Sequence, residues 1–221
     1  MSNLIRLLCV ILLGLCCAGG VMASSDSTVI AYYHENIAAF LAEYYLANTD
    51  LSYSYTVTSI YIKTDYRGEI KRADTAIYTI RHNPVTGDTS VVVDSAGLDE
   101  NVPPTSLQPY FPEPEWYHFY FYPNDTGAGS LALGFDPDSS DSGAHPAGHI
   151  TFDRNTYAPQ TLSLHYRNYI DYRQYSLDYT FMPVDSVLVP TELKINGTRG
   201  TLLGRQYSRQ ILSFTDYVFD R

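Results

Sequence analysis

Three groupings of side chains in this 221-residue sequence have the residue types that chemistry needs. The first is Asp153-Arg154-Asn155-Thr156, followed by Tyr157, between two alternating runs in "GHITFDRNTYAPQTLSLHY" (148–166). An Asp, an Arg and a Tyr on one loop have the makings of acid–base work. The same residues also build an ordinary turn. Asp153 and Asn155 close an Asx-type turn, Thr156 backs it with a hydroxyl, and Pro159 opens the next strand where a proline is tolerated. Turn chemistry accounts for every member. The second grouping comes from the six histidines. His145 and His149 stand four apart, but Pro146 and Gly148 in "HPAGH" are incompatible with a regular helix, and no Glu lies between them as in the zinc-hydrolase motif. His118 and His165 alternate with aromatics and read as strand residues. The third is Asp136, Asp138 and Asp141 in "DPDSSDSG". Hard oxygens suit calcium, but the spacing misses the EF-hand pattern, which leaves a solvated loop as the default.

Other catalytic signatures are missing from the sequence. It holds no Gly-x-Ser-x-Gly elbow, phosphate loop or dinucleotide fingerprint. Glycoside chemistry needs two carboxylates near each other in space, and nothing selects a pair. The aromatic run Trp116–Tyr122 would serve as a sugar-stacking platform, yet its unbroken character fits a strand buried on both faces better. The expectation is a binding protein rather than an enzyme, with no cofactor and no metal.

The elements that must position such a site begin after residue 23. Arg6 gives a positive start, "LLCVILLGLCCAGGV" (7–21) is an apolar stretch of signal-peptide length, and Val21-Met22-Ala23 has the small-residue pattern of a cleavage site. Residues 1–23 read as a secretory signal cleaved near Ala23. The apolar stretch is short for a membrane span and is interrupted by Gly14, Gly19 and Gly20. A lipid anchor fits poorly, because Leu15 precedes Cys16 and Cys16 precedes Cys17. All three cysteines (Cys9, Cys16, Cys17) fall in this segment, so the mature chain would have no disulfide and no stable membrane anchor. Cysteine-free export points to a bacterial envelope, periplasmic or secreted. The glycosylation-like triplets at Asn124 and Asn196 then carry no weight. Without Arg6 the chain has 13 basic and 24 acidic side chains, a balance of −11. That disfavours nucleic acid and anionic surfaces as partners. Tyrosine is abundant at 21 residues against a single Trp, which favours strands carrying apolar bodies with polar tips.

Periodicity predicts one helix over 27–48, with Ile30, Tyr33, Ile37, Phe40, Leu41 and Tyr44 on one face. Strands follow at 51–64, 73–82, 89–95, 116–123, 130–137, 149–153, 160–169, 175–184, 187–197 and 204–219. A parity change in "LSYSYTVTSIYIKT" predicts a bulge or bend near Thr58-Ser59. Asn196-Gly197 reads as a tight turn. The Pro-rich stretch 96–115 reads as a long crossing loop or a short helical turn. The fold expected for 24–221 is a single α+β domain: a highly curved antiparallel half-barrel of about nine or more strands, with the N-terminal helix packed on its open side.

The hairpin resembles that of the LolA/LolB-like outer-membrane lipoprotein-sorting proteins and the RseB-type envelope sensors. Asp153, Thr156 and Pro159 match the Asp-x-x-Thr-x-x-Pro spacing between two strands. "YHFYFYP…GSLALGFDP" is similar to the strand pair before that hairpin, and "VPTELKING…FTDYVF" to the closing strands. The resemblance covers most of the mature chain in pattern. It implies a half-barrel whose cavity, between sheet and helices, takes acyl chains without catalysis. No equivalent of a polar cavity residue can be placed, and the Tyr-heavy sheet points to a narrower, more polar or self-filled cavity. On this reading the partner is a lipid, an acyl chain or a lipidated protein. The helix face (Tyr33, Ile37, Phe40, Leu41, Tyr44) forms one wall, with Tyr55 and Val57 opposite. The same residues also suit plain core packing. The alternative is a secreted carbohydrate- or protein-binding module with a solid core.

Overall fold

The computed structural model describes residues 26–48, 50–95, 109–113, 116–121, 129–137, 145–167, 172–201 and 204–220. The expected signal segment 1–23, the three cysteines, Asp138 and Asp141 lie outside these residues, as does most of 96–115.

The helical run starts with α1 (Asp26–Tyr32), continues through a π-helical segment (Tyr33–Ala38) and ends in α2 (Ala39–Tyr44). Its buried residues are Val29, Tyr33, Ile37, Leu41 and Tyr45, every fourth position. In a pure α-helix a four-residue step overshoots a full turn by about 40°, so such a series would drift off the face. The π segment closes i→i+5 and rotates less per residue, which takes the drift back. A strict 3.6 period therefore misplaces part of the face: Val29 and Tyr45 join it, while Ile30 and Phe40 move to its flank. The run stops where Tyr45 turns extended (φ −75°, ψ 135°). The Leu41 carbonyl accepts the Tyr45 N–H at 3.1 Å, and Asn48 Nδ2 donates a second bond to it at 2.9 Å.

Ten strands make one antiparallel sheet: β1 (Ser52–Thr64), β2 (Ile70–Asn83), β3 (Asp88–Ser95), β4 (Tyr117–Phe121), β5 (Ser130–Pro137), β6 (Ala147–Asp153), β7 (Pro159–Arg167), β8 (Gln174–Val184), β9 (Val187–Thr201) and β10 (Gly204–Asp220). Their spatial order is β3-β2-β1-β10-β9-β8-β7-β6-β5-β4. The sheet does not close, because β3 and β4 are its two ends, and the fold is the open half-barrel α+β type. The helix crosses the inner face, with α1 nearest β4 and α2 nearest β9. The core lies between them and includes Phe119, Leu133, Phe135, Ile150, Phe152, Leu162, Leu164, Tyr179 and Leu193.

Three local expectations are corrected. First, β1 pairs with β2 in unbroken register from Tyr53 to Lys63, so no bulge lies at Thr58-Ser59. The extra residue is on β10, where Ser54 faces Val218 but Thr56 faces Thr215, and Asp216 has φ 55°. Ile60 and Ile62 accordingly sit on the outer face, and Ile60 is 41% exposed. Second, Asn196-Gly197 is inside β9 rather than at a turn. A Cβ on Gly197 would stand 2.5 Å from the Tyr172 ring, so the glycine lets that ring lie on the sheet. Third, β4 is an end strand buried on one face only, with Tyr117 and Phe119 inward and His118 exposed.

Candidate functional site

The hairpin turn is held by Asp153. The backbone N–H groups of Asn155 and Thr156 donate to its Oδ1, both at 2.9 Å, and Thr156 Oγ1 donates at 3.1 Å. Tyr157 takes φ 61° to complete the turn. The Thr156 and Asn155 amides lower the pKa of the Asp153 carboxyl. With its lone pairs so engaged, Asp153 acts as a turn residue. His145 stacks on Trp116 (5.9 Å, 10°), while His149 is the cross-strand partner of Ser163 on the outer face. Among the described residues no three His, Cys, Asp or Glu side chains gather as metal ligands. Ser163 sits between His149 and Asp178 in one cross-strand row, and its Oγ donates to Asp178 at 2.7 Å. Its proton is therefore committed to a carboxylate rather than to an activating imidazole.

The inner face carries the aromatic surface. Under the helix, Tyr33 packs on Phe119 at 4.7 Å, and Tyr45 meets Phe111 and Phe181 edge-on. Tyr32, on the flank, touches Phe121, Phe152 and Tyr157. Beyond the helix, toward the start of β1, a second group forms a row: His82 on Tyr53 (4.9 Å), Tyr53 on Tyr55 (6.1 Å), Tyr55 on Tyr217 (5.1 Å) and Tyr217 on Phe219 (6.3 Å). These four Tyr and Phe rings are only partly buried. An open cleft of about 580 Å³ adjoins Tyr53 and His82, with Arg81, Asp88 and Asp220 at its margin.

The phenols here are hydrogen-bond donors at neutral pH. Burial pushes the Tyr33, Tyr45, Tyr55, Tyr117, Tyr179 and Tyr217 hydroxyls well above the ordinary phenol value. Tyr217 Oη donates to the Pro190 carbonyl at 2.6 Å. Tyr117 Oη differs: it is buried, and among the described residues no hydrogen bond satisfies it. Burial raises its pKa most, and the neighbouring Tyr110 hydroxyl raises it further. What this surface offers a ligand is apolar ring area with a few fixed O–H donors.

The expected wall residues divide into two sets. Tyr33, Ile37, Leu41 and Val57 are buried in the core that joins helix to sheet. Phe40, Tyr44 and Tyr55 are partly exposed, with Phe40 and Tyr44 packed at 4.8 Å. Tyr55 and Val57 pack in the same core as the helix face, and Tyr55 also belongs to the row with Tyr53, Tyr217 and Phe219. That row was missed in sequence, although the alternation of Tyr53 with Tyr55 and of Tyr217 with Phe219 carried the signal.

No family model and no curated protein sequence matches the chain. Among solved structures it is similar to a domain described as an outer membrane lipoprotein-sorting protein from Vibrio parahaemolyticus. The identity is 11%, the TM-score 0.46, and the match covers 89% of this chain and 94% of that one. It is also similar to MucB of Pseudomonas aeruginosa in its complex with MucA, at 12% identity and TM-score 0.27, over 84% of this chain and 94% of that one. Likenesses this distant carry no argument about what the chain does; the open half-barrel seen in its own strand order is the fold that the hairpin's resemblance implied.

Proposed function

We propose that this chain is a non-enzymatic protein of the bacterial envelope that holds a lipid, an acyl chain or a lipidated protein against the inner face of its sheet. The observation that carries the reading is the aromatic surface that continues past the helix. Tyr53, Tyr55, Tyr217 and Phe219 remain partly open, while the rings under the helix are packed. A chain laid along that row gains about 0.8 kcal/mol for each methylene removed from water. The binding surface is then the β1–β10 row with Phe40 and Tyr44 at the helix rim, while Tyr33, Ile37, Leu41 and Val57 form the floor that keeps helix and sheet in register. The test is native mass spectrometry of the protein purified from a bacterial periplasm. A discrete added mass that organic solvent extracts as lipid supports the reading. A clean apo mass that also refuses a neutral acyl probe overturns it.

One observation favours a second reading. Tyr53 and His82 stack nearly parallel at the edge of an open cleft with Arg81, Asp88 and Asp220 around it. A flat ring pair flanked by charged hydrogen-bonding groups also suits a sugar ring. Glycan-array binding that is lost in Tyr53→Ala would favour this module over the lipid carrier.

A further inference from the structure

The outer face of the sheet, away from the helix, carries two adjoining hollows. One, of about 330 Å³, crosses β7, β8 and β9, and its lining includes His165, Arg167, Gln174 and Ser176. The other, of about 420 Å³, crosses β9, β10, β1 and β2, and its lining includes Ile62, Thr64, Ile70, Tyr207 and Arg209. Asn196 and Thr198 line both. Strand register explains why the two join. Arg167, Gln174, Thr198, Tyr207, Thr64 and Ile70 stand opposite one another in a single cross-strand row. His165, Ser176, Asn196, Arg209 and Ile62 form the parallel row two residues along each strand. The neighbouring Leu164, Leu177 and Ile195 are buried, and alternation then puts both rows on the outer face. One groove therefore runs between the rows across six strands. At about 4.8 Å per strand it is about 24 Å long, the span of about seven extended residues.

The groove is unusual in charge. The chain has 24 acidic side chains against 14 basic ones, yet among the described residues no acid lines either hollow. Arg167 and Arg209 are exposed, and among the described residues neither forms an ion pair. The acids around the groove are engaged elsewhere. Asp178, one row further on, accepts Ser163 Oγ at 2.7 Å and faces Lys194. Asp65 and Glu69, beside Ile70, pair with Lys71. Toward β2 the groove turns apolar: Ile70 is 64% exposed and Tyr207 41%, next to Ile62. Two unpaired guanidiniums present planar forks to carboxylates, and Arg and Tyr are side chains that commonly anchor a protein partner. A ligand that suits this surface has carboxylates and an apolar group spaced along one narrow chain. A polypeptide has both, whereas an acidic polysaccharide lacks the apolar side chains.

We infer that the outer groove docks an extended acidic segment of a partner protein. Its carboxylates lie toward Arg167 and Arg209, and an apolar residue sits among Ile62, Ile70 and Tyr207. The groove is on the opposite face of the sheet from the aromatic row, so this docking goes beyond the inner-face reading and does not depend on it.

The test selects random heptapeptides displayed on phage against the purified chain. The consensus peptide, carrying an uncharged dye, is then measured by fluorescence anisotropy. The expected consensus has two or more acidic residues toward one end and an apolar residue at the other. Arg167→Gln and Arg209→Gln should each weaken its binding about two- to fivefold, the effect of one exposed ion pair, and added salt should weaken it further. Arg209→Lys should recover part of the loss, and Ile70→Ser should weaken binding at the apolar end. All four positions are on the surface, and an unchanged melting temperature confirms that the sheet is intact. A selection without acidic bias, or a consensus peptide indifferent to both Arg→Gln changes, overturns the inference. Polygalacturonate binding as tightly as the peptide and displacing it also overturns it, in favour of an acidic glycan. A neutral acyl probe measured on the same variants should bind as it does to the parent, so failure of the groove leaves the inner-face reading standing.

Discussion

Replacing Ile37 by alanine separates floor from binding wall. Ile37 is fully buried in the π segment, against the core shared by helix and sheet. The substitution removes three carbon groups, worth about 2.4 kcal/mol of transfer free energy at about 0.8 each. The hole left behind adds to that, so the expected cost is about 3–4 kcal/mol. For a chain of this size the melting temperature should fall by about 6–16 °C. Phe40, half-buried on the flank and packed at a tilt against Tyr44, should lose only about 1–1.5 kcal/mol on truncation to alanine. Urea unfolding of both variants gives the two costs. Binding of a neutral acyl probe, at a temperature where both remain folded, should be weakened by Phe40→Ala and little changed by Ile37→Ala. A cost for Ile37→Ala below about 1 kcal/mol, or equal to that for Phe40→Ala, would refute the division of the helix face into floor and rim.

Three further outcomes follow from the same contacts. Tyr117→Phe should be neutral or stabilising by about 1 kcal/mol, because it removes an unsatisfied buried hydroxyl; Tyr217→Phe should cost about 1–2 kcal/mol, because it leaves the Pro190 carbonyl unpaired. Chemical denaturation of the pair checks the contrast. Gly148→Ala would place a Cβ 1.9 Å from the Ser163 carbonyl oxygen, a backbone atom that cannot yield without opening the β6–β7 ladder. It should therefore destabilise by about 3 kcal/mol or more, and hydrogen exchange should report faster opening of β6 and β7. Asp153 has a depressed pKa in the folded chain, so its contribution is present above the unfolded carboxyl value and is lost as pH falls through the folded one. Asp153→Asn should lower the melting temperature at neutral pH and bring it closer to that of the parent in acid; an unchanged gap across that range would refute the role given to the carboxylate.

Much of the fold is legible in sequence because its signals are local. The Asx turn at Asp153 and the alternation on either side depend only on neighbours in the chain, and the strand pair β6–β7 forms where they place it. Two of the failures share a cause, which is a contact made across the sheet. Asn196-Gly197 has the composition of a turn, but Tyr172, which settles the matter, is remote in sequence. The Ile60 and Ile62 parity implied a bend in β1, whereas the irregularity belongs to its partner β10. The helix face differed because a π segment, which composition does not announce, resets the rotation. For the first of these reasons the site was half readable. Single residues such as Tyr55 could be named, but the row with Tyr217 and Phe219 exists only once β1 and β10 pair.

That pairing has a consequence for how the chain reaches its structure. β1 and β10 are the first and last strands in sequence, yet they are adjacent in the middle of the sheet, joined by contacts such as Gln210 with Ser59, 151 positions apart. Every other neighbouring pair is consecutive in the chain. Two hairpin stacks, β1–β3 and β4–β10, are therefore able to assemble independently, and the long-range seam between them is the slow, entropically costly step. Until it closes, both β1 and β10 expose raw hydrogen-bonding edges. A truncation that removes β10 would leave edges open on β1 and β9 together, a species more prone to aggregate than to bind anything.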